Sequence, residues 1–205
     1  MRSLWLISLI VAMQGCAPSP YSNLTASAVN SSCLEKFRPE ITSVLYNTHI
    51  NVVGKHLSGL LIFKKMEDQS TRVVFSNEMG VKFFDFEFKQ DGFKVIYCMD
   101  KLNKKPVIRQ LRKDIGVLLF HEVNISNAKT KSSPDELYFG FKKGKEYDYY
   151  ITSQDCNELK RIENATSKKK KIITNLTAYK KGMPDSVYIS HENFEFNISL
   201  KQIER

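Results

Sequence analysis

Residues 72–88 read RVVFSNEMGVKFFDFEF, and the fold turns on this stretch. Two β-rich runs, RVVFS at 72–76 and VKFFDFEF at 81–88, flank Asn77-Glu78-Met79-Gly80. A short turn with Asn and Gly between such runs predicts a tight β-hairpin. In the second run Phe84, Phe86 and Phe88 alternate with Asp85 and Glu87. One face is therefore dry and the other wet. Met79 is the odd residue, because an exposed turn prefers a polar side chain. Two readings are open: Met79 folds back onto the sheet, or it forms an apolar tip that meets a membrane.

Strand patterns continue on both sides. Residues 45–54 (LYNTHINVVG) and 57–66 (LSGLLIFKKM) read as strands before the hairpin. After the Asp91-Gly92 turn, residues 93–99 (FKVIYCM) alternate again, with Phe93, Val95 and Tyr97 on one face. Residues 105–120 (KPVIRQLRKDIGVLLF) change period. Val107, Ile108, Leu111, Ile115, Leu118 and Leu119 fall at helical spacing, and Pro106 suits a first turn. Residues 124–134 read as a polar loop, and Met183-Pro184-Asp185 as a break. Strands return at 137–141, 146–152, 157–162, 171–179, 186–190 and 194–203. The expectation is a mainly β, α+β fold: one curved antiparallel sheet of about 10–11 strands, with a helix over its concave side.

The N-terminus predicts export. Arg2 precedes the apolar run 4–13, and Gly15-Cys16 follows, the layout of a secretory signal peptide. That run is too short to span a bilayer, which takes about 20 apolar residues. A Cys after a small residue resembles a bacterial lipobox, in which Cys16 would carry the lipid and begin the mature chain. An ordinary signal peptide without lipidation is the alternative. Residues 17–32 (APSPYSNLTASAVNSS) read as a flexible tether. The expected organisation is a signal peptide at 1–15, a lipidated N-terminus and tether at 16–32, and one domain at 33–205.

The formal charge is +9, and losing Arg2, the one charged residue in 1–15, leaves +8. That excess favours anionic headgroups or acidic proteins, and an exported chain has little to do with nucleic acid. Cys33, Cys98 and Cys156 remain after Cys16, and their pairing cannot be deduced; Cys98 is most simply a buried thiol. Six Asn-x-Ser/Thr sites (Asn23, Asn30, Asn124, Asn164, Asn175, Asn197) keep a secreted glycoprotein in view. His49, His56, His121 and His191 lack metal-ligand spacing, and no nucleophile motif or phosphate loop appears. No cofactor, metal or catalysis is expected.

Three stretches together resemble the outer-membrane lipoprotein receptor family LolB, which receives lipoproteins from the periplasmic carrier LolA. Residues 72–80 are similar to that family's strand leading into an Asn-Pro-Leu-Gly turn, with Met79 in the place of the exposed leucine needed for insertion. Lys105-Pro106 and the amphipathic segment after it resemble the family's Pro-led helix. Residues 179–201 (YKKGMPDSVYISHENFEFNISLK) resemble its closing strands. Glu78 departs from the family's proline, and Met79 from its leucine, although methionine keeps length and apolarity. The resemblance implies a half-open barrel with a helical lid over an apolar cavity, and no enzyme activity. It also implies a monomer, lipid-anchored in the outer membrane and facing the periplasm. Its partners would be a LolA-like carrier, lipoprotein acyl chains and the inner leaflet of the outer membrane.

On that reading Asn77, Glu78, Met79 and Gly80 form the insertion loop. Leu60, Ile62, Val74, Phe84, Phe86, Phe93, Val95, Leu111, Ile115 and Leu118 are the candidate acyl lining. A filled core would use the same residue types. Besides the lipoprotein acceptor, a tethered module for a free lipid and a secreted glycoprotein stay open.

Overall fold

The computed structural model describes residues 19–52, 54–180 and 182–203. Thirteen strands among them form one antiparallel sheet: β1 Thr25–Ala26, β2 Ser43–Val52, β3 Lys55–Lys65, β4 Thr71–Ser76, β5 Lys82–Lys89, β6 Gly92–Cys98, β7 Lys129–Ser132, β8 Glu136–Lys143, β9 Glu146–Ser153, β10 Leu159–Ala165, β11 Lys170–Lys180, β12 Met183–His191 and β13 Phe196–Gln202. One α-helix, α1 (Lys105–Leu118), follows β6, and 3-10 turns occupy Ser31–Phe37 and Ile125–Asn127. The sheet order is β1-β7-β8-β9-β10-β11-β12-β13-β2-β3-β4-β5-β6, so it is open, with β1 and β6 at its edges.

Helix α1 shows how the sheet bends. Gly116 lies against the Phe88 ring of β5, while Tyr150 of β9 donates its hydroxyl proton to the Val117 carbonyl at 2.9 Å. β5 and β9 stand eight places apart in the order. Laid flat, eight strand spacings span roughly 38 Å at about 4.8 Å each. Both strands reach the same helical turn only because the sheet curls round it. Leu111, Ile115 and Leu118 join Phe63, Phe75, Phe84, Phe86, Phe139 and Tyr150 in one core.

The helix follows its predicted pattern with an earlier end. Pro106 sits in the first turn, where a missing N–H costs nothing. Phe120 takes a left-handed φ of 51°, and His121 N–H bonds the Gly116 carbonyl at 2.9 Å. This is the 6→1 closure of a Schellman ending. Phe120 holds that unusual conformation for a bulky residue by packing on Tyr150, ring centroids 4.5 Å apart.

Several expectations need correction. The sheet has more strands than about 10–11, because β1 and β7 are too short and polar to signal themselves. β7, reading KTKS, lies inside the supposed loop 124–134. β12 begins at Met183, so Pro184 stands at a strand start rather than at a break. The register between β5 and β6 shifts between Asp85 and Phe86. Val95 therefore faces Phe86 while Tyr97 faces Asp85, and the two no longer share a face. From Ser19 on, the stretch read as a tether is seated on the domain. Tyr21 is buried and donates to Glu163 Oε2 at 2.6 Å, and Thr25–Ala26 pairs with β7. Cys33 and Cys156 form a disulfide, and Cys98 is free and half-buried, its thiol pKa pushed up by that burial.

Candidate functional site

The β4–β5 turn is built so that Met79 stands out. Gly80 N–H bonds the Asn77 carbonyl at 3.0 Å, and Gly80 adopts φ +83°. Asn77 N–H bonds the Val81 carbonyl at 3.0 Å, while the Asn77 side chain accepts from Val81 N–H at 2.8 Å. A turn closed by a left-handed glycine leaves its corner side chains pointing away from the ladder. Met79 is 90% exposed and Val81 53%. Glu78 beside them is exposed as well. Of the two readings of Met79, the fold-back is absent from the structure.

Below the turn β3 passes unusually close. A Cβ on Gly59 would lie 2.0 Å from the Ser76 carbonyl oxygen, so glycine is required for β3 to support the hairpin base. On the outer face Arg72 forks onto Asp85, with contacts of 2.6 to 2.8 Å, and Lys82 reaches the same carboxylate at 3.0 Å. A buried carboxylate held by two cations stiffens β4 against β5.

The candidate lining residues divide between two faces. Phe84, Phe86, Leu111, Ile115 and Leu118 are buried together on the concave side, with Phe93 and Val95 packed against them. Leu60, Ile62 and Val74 stand one residue out of step. Ile62 pairs with Val74, and Val74 with Asp85, whereas the inward pairs are Leu61 with Phe75 and Phe63 with Val73. Period two puts the first set on the outer face. The run LLIF is apolar at every position, so alternation could not choose a face there.

The concave side is filled. Phe84 and Phe86 stack, centroids 4.4 Å apart, beneath α1. A cavity of about 10 Å³ lies between Phe37, Leu118, Phe120, Ile162, Leu176, Tyr179 and Met183, about the room one water needs. A larger open groove of about 1660 Å³ runs past the far end of the same strands. Its lining includes Phe88, Leu119, Phe120, Val123 and Ile125, with Arg38, Lys65, Asp68 and Glu122 among them. β4 and β5 run between this groove and the Met79 turn, so the two lie at opposite ends of the sheet.

One buried polar pair escaped the sequence reading. Asp114 of α1 and His191 of β12 meet with Nε2 3.2 Å from the carboxyl oxygens. Gln110 donates to Asp114 Oδ1 at 2.8 Å, and His191 Nδ1 lies 2.7 Å from the Phe196 carbonyl. A carbonyl only accepts, so Nδ1 carries a proton there. Burial holds the Asp114 carboxyl above the usual range, against the pull of His191. The pair fastens helix to sheet. Nearby, Glu146 receives Lys113 Nζ at 2.5 Å and Lys171 as well. Burial alone would raise the Glu146 pKa, but the two lysines bring it down to about 2.

His49 and His56 stack with centroids 5.6 Å apart, and no group of three metal-ligating side chains occurs among the described residues. Of the six Asn-x-Ser/Thr sites, Asn164 is buried and bonded to Asp148 and Lys113, which closes that site to a glycan in the folded chain. Cys16 lies outside the described residues. Among them, no helix is long and apolar enough to cross a membrane.

No protein-family model matches the sequence, and no curated protein does either. Solved structures do share the fold. A LolA superfamily protein from Nitrosomonas europaea matches at TM-score 0.50 and 11% identity, over 87% of this chain and 93% of that chain. A DUF1329 family protein from Desulfovibrio piger matches at TM-score 0.51 and 9% identity, over 84% and 88%. At such identities the likeness is one of fold.

Proposed function

We propose that this protein is a lipid-anchored acceptor of lipoproteins. On this reading Cys16 fixes it to the outer membrane, facing the periplasm. There it takes acyl chains from a LolA-like carrier and passes them into the inner leaflet. The exposed Met79, held on a braced turn, is the observation that carries the reading. The half-barrel likeness to a LolA superfamily protein supports it.

Acyl chains in water cost about 0.8 kcal/mol per CH₂, so a receiver must offer apolar surface. Here α1 occupies that surface. Leu111, Ile115 and Leu118 cover Phe84 and Phe86 as chains would. Reception is then an exchange, in which arriving chains replace the apolar face of α1. The groove beside the C-terminal end of α1, with Phe88, Leu119 and Val123 in its wall, offers the approach.

The Glu78 carboxylate favours a second reading, a module that holds a free lipid and inserts nothing, because a charge beside the tip resists leaving water. Met79→Glu separates the two. In cells depleted of the native protein, the variant is expected to leave lipoproteins in the periplasm. The purified variant should still bind a fluorescent acyl probe as well as the parent. Normal delivery by the variant would rule out the insertion tip. Mass spectrometry of the mature N-terminus checks the anchor, and an unacylated, glycosylated chain would sink both readings.

A further inference from the structure

The β8–β9 and β10–β11 turns lie side by side at the sheet end that also carries the Met79 turn, since Tyr147 pairs with Ala165. They gather Lys142, Lys143, Lys145, Lys168, Lys169 and Lys170. The acids within these two hairpins are already engaged, while Glu192 and Glu195 stand exposed on the neighbouring β12–β13 turn, whose Asn193 accepts from Lys169 at 2.8 Å. Glu146 holds Lys113 and Lys171, Glu163 holds Arg161 and Lys170, and Asp148 holds Lys143. Lys142, Lys145 and Lys168 are exposed with no acidic partner among the described residues. At the opposite ends of β8, β9 and β10, Asp135, Asp155 and Glu158 are exposed, and Lys160 and Arg161 there are paired with Glu136.

The N-terminal chain arrives at the same corner. Tyr21 packs on Tyr149 and Tyr138, centroids 4.3 and 6.3 Å away, and the Lys170 ammonium stands 6.0 Å over its ring. Five residue steps lead from Cys16 to Tyr21, a reach of at most roughly 18 Å. We propose that this lysine corner is where the domain lies against an anionic lipid bilayer, with the β8–β11 end toward the headgroups. Phe194 in the β12–β13 turn, 46% exposed, and Met79 share that end of the sheet. The docked corner thus presents the apolar tip to the same surface. The orientation rests on the acylation of Cys16 proposed above; the headgroup affinity does not, and is measured without it.

Both core clusters lie from Tyr21 onward, so a chain beginning at Ala17 keeps the whole core and carries no acyl group. Its partition onto vesicles of phosphatidylethanolamine with phosphatidylglycerol is compared with vesicles of phosphatidylcholine alone. It is expected to bind the first, to be released by salt, and to ignore the second. Replacing Lys142, Lys145 and Lys168 by Gln should weaken binding roughly a hundredfold, at about fivefold per lysine near an anionic surface. Lys36→Gln, Lys64→Gln and Lys94→Gln together remove the same charge elsewhere, at exposed lysines, and should change little. Equal loss in both triple variants, equal binding to phosphatidylcholine, or no binding to either vesicle overturns the proposal. So does capture by soluble polyglutamate in place of vesicles, which would assign the corner to an acidic protein. An unacylated Cys16 would overturn the anchor and with it the orientation, while leaving the measured headgroup affinity intact.

Discussion

At the scale of single residues, the hairpin tip depends on space as much as on chemistry. Gly80 supplies the left-handed step, and Asn77 closes the loop through its side chain. Gly59, twenty residues away, supplies room. A methyl there would meet the Ser76 carbonyl at 2.0 Å, backbone against backbone, with no flexible end to yield. Gly59→Ala is therefore expected to destabilise the fold by about 1–3 kcal/mol or more and to push β3 off the base of the turn. Urea denaturation reads the first effect. A Met79→Trp reporter reads the second, because the chain's one tryptophan lies in the first ten residues and is absent from a chain beginning at Ala17. An unchanged midpoint would show that β3 accommodates the methyl and that glycine is incidental.

At the scale of elements, strands with one wet face were legible and the rest were not. Phe84, Phe86 and Phe88 against Asp85 and Glu87 gave face and partner together, as did the 3.6-residue spacing of α1. The uniformly apolar LLIF at 60–63 hid its face, and KTKS of β7 hid its very existence. The Asp114–His191 pair spans 77 residues, beyond any local pattern. Of the candidate site, the exposed turn could be located but its exposure could not be decided, because a methionine suits either side of a sheet. The helix is the element that matters most for reception. If chains displace it, weakening its packing should ease their entry. Leu111→Ala is expected to cost about 2–5 kcal/mol of stability and to raise uptake of a fluorescent acyl probe. Lower stability with unchanged uptake would mean that α1 is core and never a gate. The Lys113–Glu146–Lys171 clamp gives a pH test of the same contact. A carboxylate depressed to about 2 stabilises the fold above its unfolded value near 4.5, and that contribution fades as pH falls between them. Glu146→Gln should accordingly destabilise at neutral pH by about 2 kcal/mol, allowing for partial exposure. The gap to the parent should close as the pH is lowered toward 2. A gap that stays constant with pH would assign the loss to packing instead of charge.

At the scale of the molecule, the open sheet has two unlike halves, joined among the described residues by helix α1 and a covalent link. The β2–β6 half carries the Met79 turn and most of the phenylalanine core, while the β7–β10 half carries the tyrosine cluster and receives the N-terminal chain. Cys33 and Cys156, 123 residues apart in sequence, tie the N-terminal 3-10 turn to the β9–β10 connection. A bridge closing so long a loop limits the unfolded ensemble, and removing one of this kind costs about 2–5 kcal/mol. A structural disulfide also fits an oxidising compartment. Replacing both cysteines by Ala should lower the urea midpoint with the slope little changed. Cys98→Ala, half-buried on edge strand β6, should move it far less. Reducing the parent with dithiothreitol should bring its midpoint down to that of the double variant and leave the double variant where it is. A parent indifferent to reduction, with both cysteines shown to be thiols by alkylation, would mean that the N-terminal segment is held by Tyr21 and β1 alone.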